Sequence, residues 1–256
     1  MPRPTFRKAV RLAAASVGAC VLLFGVEILL AIPGPDDHYQ PPSRQPVRLG
    51  GAGTPLTYVV LGDSTAAGRG GDYERGIALT TARHLAQTRP VTLVNLAVSG
   101  AKVRDVVQGQ LPEAARLRPD VVLLAVGAND VTHFTTSGAV SEGLSSILDR
   151  LSAARPGVRI VLTGSPAVGT ARRFAQPLRW LAGVETNRVN RAVGSVIERA
   201  RGKAQHVTWA PIARDTESAF AQDPTLFAPD RFHPNDRGYA AWMPTLNAAL
   251  DEALRE

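Results

Sequence analysis

Short, almost unbroken apolar runs alternate along this chain with stretches whose apolar positions recur every three or four residues. The runs are TYVVLG (57–62), VTLVNLAV (91–98), DVVLLAVG (120–127), RIVLTGSP (159–166) and HVTWAPI (206–212). Continuous rather than alternating hydrophobicity is what a strand needs when helices cover both its faces, so these five runs predict a parallel sheet. Helical spacing falls between and after them, at 74–88, 103–117, 141–154, 185–201 and 237–254. The last stretch aligns Tyr239, Trp242, Met243, Leu246, Ala249 and Leu250 on one stripe, the spacing of a helix face packed against a sheet, and the stripe is read as core. Strand and helix in alternation predict one three-layer α/β/α domain over residues 55–256, with five parallel strands and right-handed crossovers.

The beginning of the chain follows a different pattern. Arg3, Arg7, Lys8 and Arg11 precede a segment, Leu12 to Ile32, that is apolar except for Ser16 and Glu27. A basic flank before about 20 apolar residues predicts an N-terminal hydrophobic helix that crosses a membrane, with the flank cytoplasmic and the domain outside. The same pattern fits a secretory signal peptide. Residues 1–32 are therefore read as a signal-anchor or signal peptide, giving a domain that is membrane-anchored and extracytoplasmic, or secreted. Residues 33–54, rich in Pro and Gly without apolar periodicity, read as an extended linker.

Composition narrows the function classes. The single cysteine, Cys20, excludes an intrachain disulfide, so stability rests on packing, which 256 residues can supply. The net charge of +7 comes from scattered arginines, with lysine only at 8, 102 and 203, and no nucleic-acid motif accompanies it. No nucleic-acid partner is expected. Neither a metal-ligand spacing of His and carboxylates nor a phosphate-cradling glycine loop with a lysine is present, so no metal or cofactor is expected.

In an open parallel sheet, ligands bind beyond the carboxyl ends of the strands. Gly62-Asp63-Ser64 stands at that edge after the first run, Gly100 closes NLAVSG after the second, Gly127-Ala128-Asn129-Asp130 follows the third, and APDRFHPNDRG, carrying Asp230 and His233, follows the fifth. Each residue type answers a need of acyl transfer. Ser64 supplies a nucleophile at a strand-to-helix turn, His233 a general base, and Asp230, three residues earlier, an acceptor that fixes the imidazole tautomer. The backbone N–H groups of Ser64 and Gly100 and the side-chain amide of Asn129 supply donors for an oxyanion. Asp63 is read as steadying the turn, and His133 either as a polar loop residue or as one near the substrate pocket. Taken singly, these residues also read as caps and turns; four loops at one sheet edge carrying a complete set is the stronger signal.

These blocks resemble the SGNH hydrolases, or GDSL-type esterases and lipases: Ser64 in GDS, Gly100 after NLAVS, Asn129 in GAND and His233 in DRFH. The resemblance runs from about Tyr58 to the last helix, with Thr65 where many members carry Leu. It implies a flavodoxin-like sheet in the order 2-1-3-4-5 and hydrolysis of carboxylic esters through an acyl-enzyme, with a Ser64-His233-Asp230 triad. Acyl transfer to a sugar or lipid acceptor, and a non-catalytic envelope binding module, are alternatives on the same fold. The acyl-ester substrate is left open between lipid, acylated carbohydrate and simple ester. The segment 165–187, with Phe174, Leu178, Trp180 and Leu181, reads either as a lid or acyl wall, with Arg172 and Arg173 near an anionic head group, or as an ordinary loop and helix.

Overall fold

The computed structural model describes residues 39–255, so the predicted N-terminal helix and the first part of the predicted linker lie outside the described residues. Tyr58, Val59, Val60 and Leu61 are all fully buried, but consecutive residues face opposite ways: Val59 and Leu61 join one core cluster, Tyr58 and Val60 the other. A strand buried on both faces has no polar side, and this explains the unbroken apolar run. The strand, β2 (Leu56–Gly62), lies between β3 (Val91–Asn95) and β4 (Val121–Ala125), with Tyr58 opposite Leu93 on one side and Val121 on the other. The sheet continues through β5 (Arg159–Leu162) to β6 (Val207–Trp209), all parallel.

These five strands keep the expected order, yet the sheet has six strands and is mixed. β1 (Val47–Leu49), inside the stretch read as linker, pairs antiparallel with β3, and the order is β1-β3-β2-β4-β5-β6. Two half-exposed residues around an exposed Arg48, flanked by Pro and Gly, carry too little periodicity to announce a strand; pairing with an open edge supplies what propensity lacks.

Helices cover both faces. On one lie α1 (Ile77–Leu85), α7 (Ile212–Gln222) and α8 (Asp236–Arg255), the last burying Tyr239, Trp242, Leu246, Ala249 and Leu250 as its stripe predicts. On the other lie α2 (Val103–Gly109), α3 (Leu111–Leu117), α5 (Ser137–Ala154) and α6 (Leu178–Gly202), with the short α4 (Ala128–Thr132) at the carboxyl edge of the sheet. The single helix expected over 103–117 is thus two, separated at Gln110, because Pro112 lacks the N–H that a continuous helix would use there. The helix expected at 141–154 starts earlier, where Thr136 accepts from the Ala139 N–H, and the one expected at 185–201 begins at Leu178. Among the described residues no helix is long and apolar enough to cross a membrane, and no group of three His, Cys, Asp or Glu is placed to hold a metal ion.

Candidate active site

The site begins with the end of β2. Gly62 has φ of 144°, and a Cβ there would lie 1.9 Å from the Ala125 carbonyl oxygen, so only glycine lets the strand end press against β4. Its N–H and its C=O are both taken by the side-chain amide of the buried Gln110, at 2.8 Å each. The Asp63 N–H then donates to Ala125 O at 3.0 Å, and Asp63 Oδ1 accepts from the N–H and hydroxyl of Thr65 at 2.9 and 2.8 Å. Those bonds fix the turn in which Ser64 stands. No regular helix starts directly after it: hydrogen-bonded turns carry the chain on, with Arg69 N donating to Ser64 O at 2.9 Å, and α1 begins only at Ile77. Tyr239 of α8 donates to the Arg69 carbonyl at 2.5 Å, so the core stripe also anchors the loop that holds Ser64.

The loop before α8 folds back toward this turn. Arg231 adopts a left-handed conformation, φ 57°, which lets Asp230 and His233 meet within three residues. His233 Nε2 lies 2.9 Å from Ser64 Oγ, and its Nδ1 lies 2.5 Å from Asp230 Oδ2. Asp230 Oδ1 accepts the backbone N–H groups of Phe232 and His233 at 2.9 and 3.0 Å. Burial by itself would raise the Asp230 carboxyl, but the bond and charge of His233 and these two N–H groups outweigh it and hold the group well below the usual carboxylate range. An ionised Asp230 accepts the Nδ1 proton, leaving Nε2 to accept from the Ser64 hydroxyl. Asp63 is displaced the other way: burial raises its carboxyl, against the Thr65 bonds and the charge of His233, and its Oδ2 has no hydrogen-bond partner.

The remaining sequence candidates open onto the same cleft, of about 320 Å³, which Ser64, Gly100, Asn129 and His233 all line. Gly100 has φ of 85°, and a Cβ there would meet nothing within 4 Å. Glycine is required there by the backbone conformation rather than by crowding. Among the described residues no acceptor takes the backbone N–H of Ser64 or of Gly100. Asn129 Nδ2 donates to Ala101 O at 3.1 Å, tying α4 to the Gly100 loop and using one of its two hydrogens. Asp130, its neighbour, accepts the Val103 N–H at 3.0 Å and so joins α4 to α2. His133 lines the cleft rim and bonds the Asn129 carbonyl through Nδ1 at 2.8 Å. Arg69 and Arg173 also line the cleft, and no carboxylate does among its described lining residues.

Sequence reading missed Gln110 and Arg69. Gln110 left one clue, a lone amide among apolar helical positions directly before Leu-Pro; Arg69 left none, because only the fold brings it to the cleft, where it joins Arg173 of the 165–187 segment.

Residues 60–241 match the profile of the GDSL-like lipase/acylhydrolase family. The chain belongs to that family. A GDSL-like esterase of Mycobacterium tuberculosis, Rv1075c, is 30% identical over 204 residues, covering 77% of this chain and 62% of that protein. The chain thus spans less than two thirds of the length of this GDSL-like relative. Among solved structures, the lipase Lip_vut3 from a goat rumen metagenome superposes with a TM-score of 0.60 at 20% identity, covering 76% of this chain and 97% of that one. A Clostridium thermocellum family 3 carbohydrate esterase gives 0.61 at 16% identity, over 79% and 98%. At such identities these structures establish the GDSL-like fold, a mixed sheet between helical layers.

Proposed function

We propose that the protein hydrolyses carboxylic esters through a serine acyl-enzyme, with Ser64 as nucleophile, His233 as general base and Asp230 as the group that orients it. One observation carries the reading: the unbroken hydrogen-bond chain from Ser64 Oγ through His233 to Asp230, at 2.9 and 2.5 Å, opening on a cleft shared with Gly100 and Asn129.

As Ser64 Oγ bonds to the ester carbonyl carbon, its proton passes to His233 Nε2, and Asp230 stabilises the resulting imidazolium. The carbonyl π pair moves to oxygen, where the N–H groups of Ser64 and Gly100 and the second Asn129 amide hydrogen receive it. Collapse of this intermediate breaks the bond to the alcohol oxygen, which takes the proton from His233. Water, deprotonated by the same imidazole, then releases the acid and restores Ser64.

The lipase and carbohydrate-esterase descriptions of the structural relatives bring two substrate classes to this chain, acyl lipids and acylated carbohydrates. Residues 1–32 support placing the domain outside the cytoplasm, membrane-anchored or secreted.

The test is labelling by a fluorophosphonate together with hydrolysis of a short-chain p-nitrophenyl ester. Both are expected in the parent and absent in Ser64→Ala. A Ser64→Ala variant that hydrolyses as fast as the parent would overturn the assignment.

A further inference from the structure

Four large apolar side chains stand exposed among the described residues: Val98 (45%), Phe134 (54%), Trp180 (65%) and Val184 (41%). Their positions are not scattered. Val98 follows β3 two residues before Gly100, Phe134 directly follows the rim residue His133, and Trp180 and Val184 stand one turn apart at the start of α6. The row Trp180, Val184, Arg188 runs along one face of α6, and Arg188 Nη2 donates to the Thr135 carbonyl at 2.7 Å, which sets this row beside Phe134. Phe134 is held at φ 53°, a conformation rarely adopted by a bulky residue, and its ring stays exposed. All four therefore belong to segments at the carboxyl edge of the sheet, around the mouth of the cleft.

The same rim is basic. Segments 98–105 and 172–185, with Arg231, carry Lys102, Arg104, Arg172, Arg173, Arg179 and Arg231 against Asp105 and Glu185. Both carboxylates are engaged locally: Asp105 accepts the Lys102 N–H at 2.9 Å and touches Arg104, while Glu185 is held by Arg188. Exposed aromatic and aliphatic side chains ringed by cations suit a surface that is apolar inside and anionic at its boundary.

We propose that this rim docks on an anionic lipid bilayer, Trp180, Phe134 and Val184 entering the boundary between headgroups and acyl chains and seating the cleft on the interface. The proposal rests on the ester-hydrolase reading for its biological use, and it narrows the substrate to an ester presented by a lipid surface.

The experiment uses the full chain and vesicles of phosphatidylcholine, with and without phosphatidylglycerol, whose acyl chains are brominated to quench nearby indoles. Tryptophan emission of the parent falls on mixing, more strongly with phosphatidylglycerol and less at high salt. The quenching disappears in Trp180→Phe, since Trp209 is half-buried and Trp242 buried. Phe134→Ser/Trp180→Ser/Val184→Ser hydrolyses a long-chain ester carried in those vesicles at least about tenfold more slowly than the parent, yet keeps the parent rate on a monomeric short-chain ester. Residues 1–32 are common to parent and variants, so a difference between them reports the rim. Unquenched emission in the parent, equal rates of parent and variant on the vesicle-borne ester, or a concentration-dependent dimer that the triple variant loses, would each overturn the proposal. A parent that is quenched but hydrolyses neither ester would remove the ester-hydrolase reading and leave the docking surface standing.

Discussion

Asp63 and Asp230 are two buried or half-buried carboxylates within reach of one imidazole, and their surroundings drive them apart. Asp230 has both oxygens engaged and is held low; Asp63 has one oxygen engaged and one orphaned, and burial pushes it up. The linkage signs are opposite. Stability from Asp230 is present above the ordinary carboxylate range and is lost as pH falls through its depressed value. Asp63 costs nothing below the ordinary range and destabilises progressively as pH rises from there toward its raised value. Asp63→Asn keeps an acceptor for the two Thr65 bonds and removes the charge. The Tm of this variant minus that of the parent should therefore grow from pH 4 to pH 7, and thermal melts at intervals between them check the slope. A flat difference would mean that Asp63 is not perturbed in the folded state. At Asn129 the change expected from the proposed mechanism is kinetic: Asn129→Ala should lower kcat about 10²- to 10³-fold with KM little changed, because the donor it would lose is assigned there to the oxyanion. Steady-state kinetics on a p-nitrophenyl ester separate the two constants.

At the scale of elements, Gln110 does the work of a strand partner. Its amide satisfies both polar groups of Gly62 where β2 ends, so the break between α2 and α3 is tied directly to the residue two before Ser64. Gln110→Leu fills the same volume but leaves the Gly62 N–H buried without an acceptor, a cost of about 1–3 kcal/mol. Its carbonyl retains the Val98 N–H at 3.1 Å, so the variant should fold, with reduced stability in urea titration and a lower kcat as the Ser64 turn loosens. Glutamate at 110 should recover more of the kcat than leucine in acid than at alkaline pH, since only its protonated form donates to Gly62 O. This device explains one limit of the sequence reading. A period of three to four residues runs through 103–117 without showing the break, because Val103, Val106, Leu111 and Ala114 are buried on either side of it. The five parallel strands were legible for the converse reason: burial on both faces writes itself as an apolar run. β1, with no fully buried residue, is specified by the edge of β3 and not by its own composition.

For the molecule as a whole, the residue types of the site were readable because their order along the chain follows the strands, and a parallel sheet brings the ends of its strands to one edge. Of the cations at the cleft, Arg173 was legible as part of the 165–187 segment, whereas Arg69 is one among many arginines until the chain is folded. The rim was legible only in part: Trp180 lies in the segment read as a lid or acyl wall or as an ordinary loop and helix, whereas Phe134 gave no local sign and only its exposure distinguishes it. The hydroxyl and the imidazole that meet at 2.9 Å are 169 residues apart, with α8 still to follow. On the proposed mechanism, Ser64 leaves the ribosome long before the imidazole that would activate it, so a chain arrested ahead of position 233 should be chemically inert however much of its sheet has formed. Reactivity toward a fluorophosphonate would then mark completion, sparing the cell a half-made catalyst.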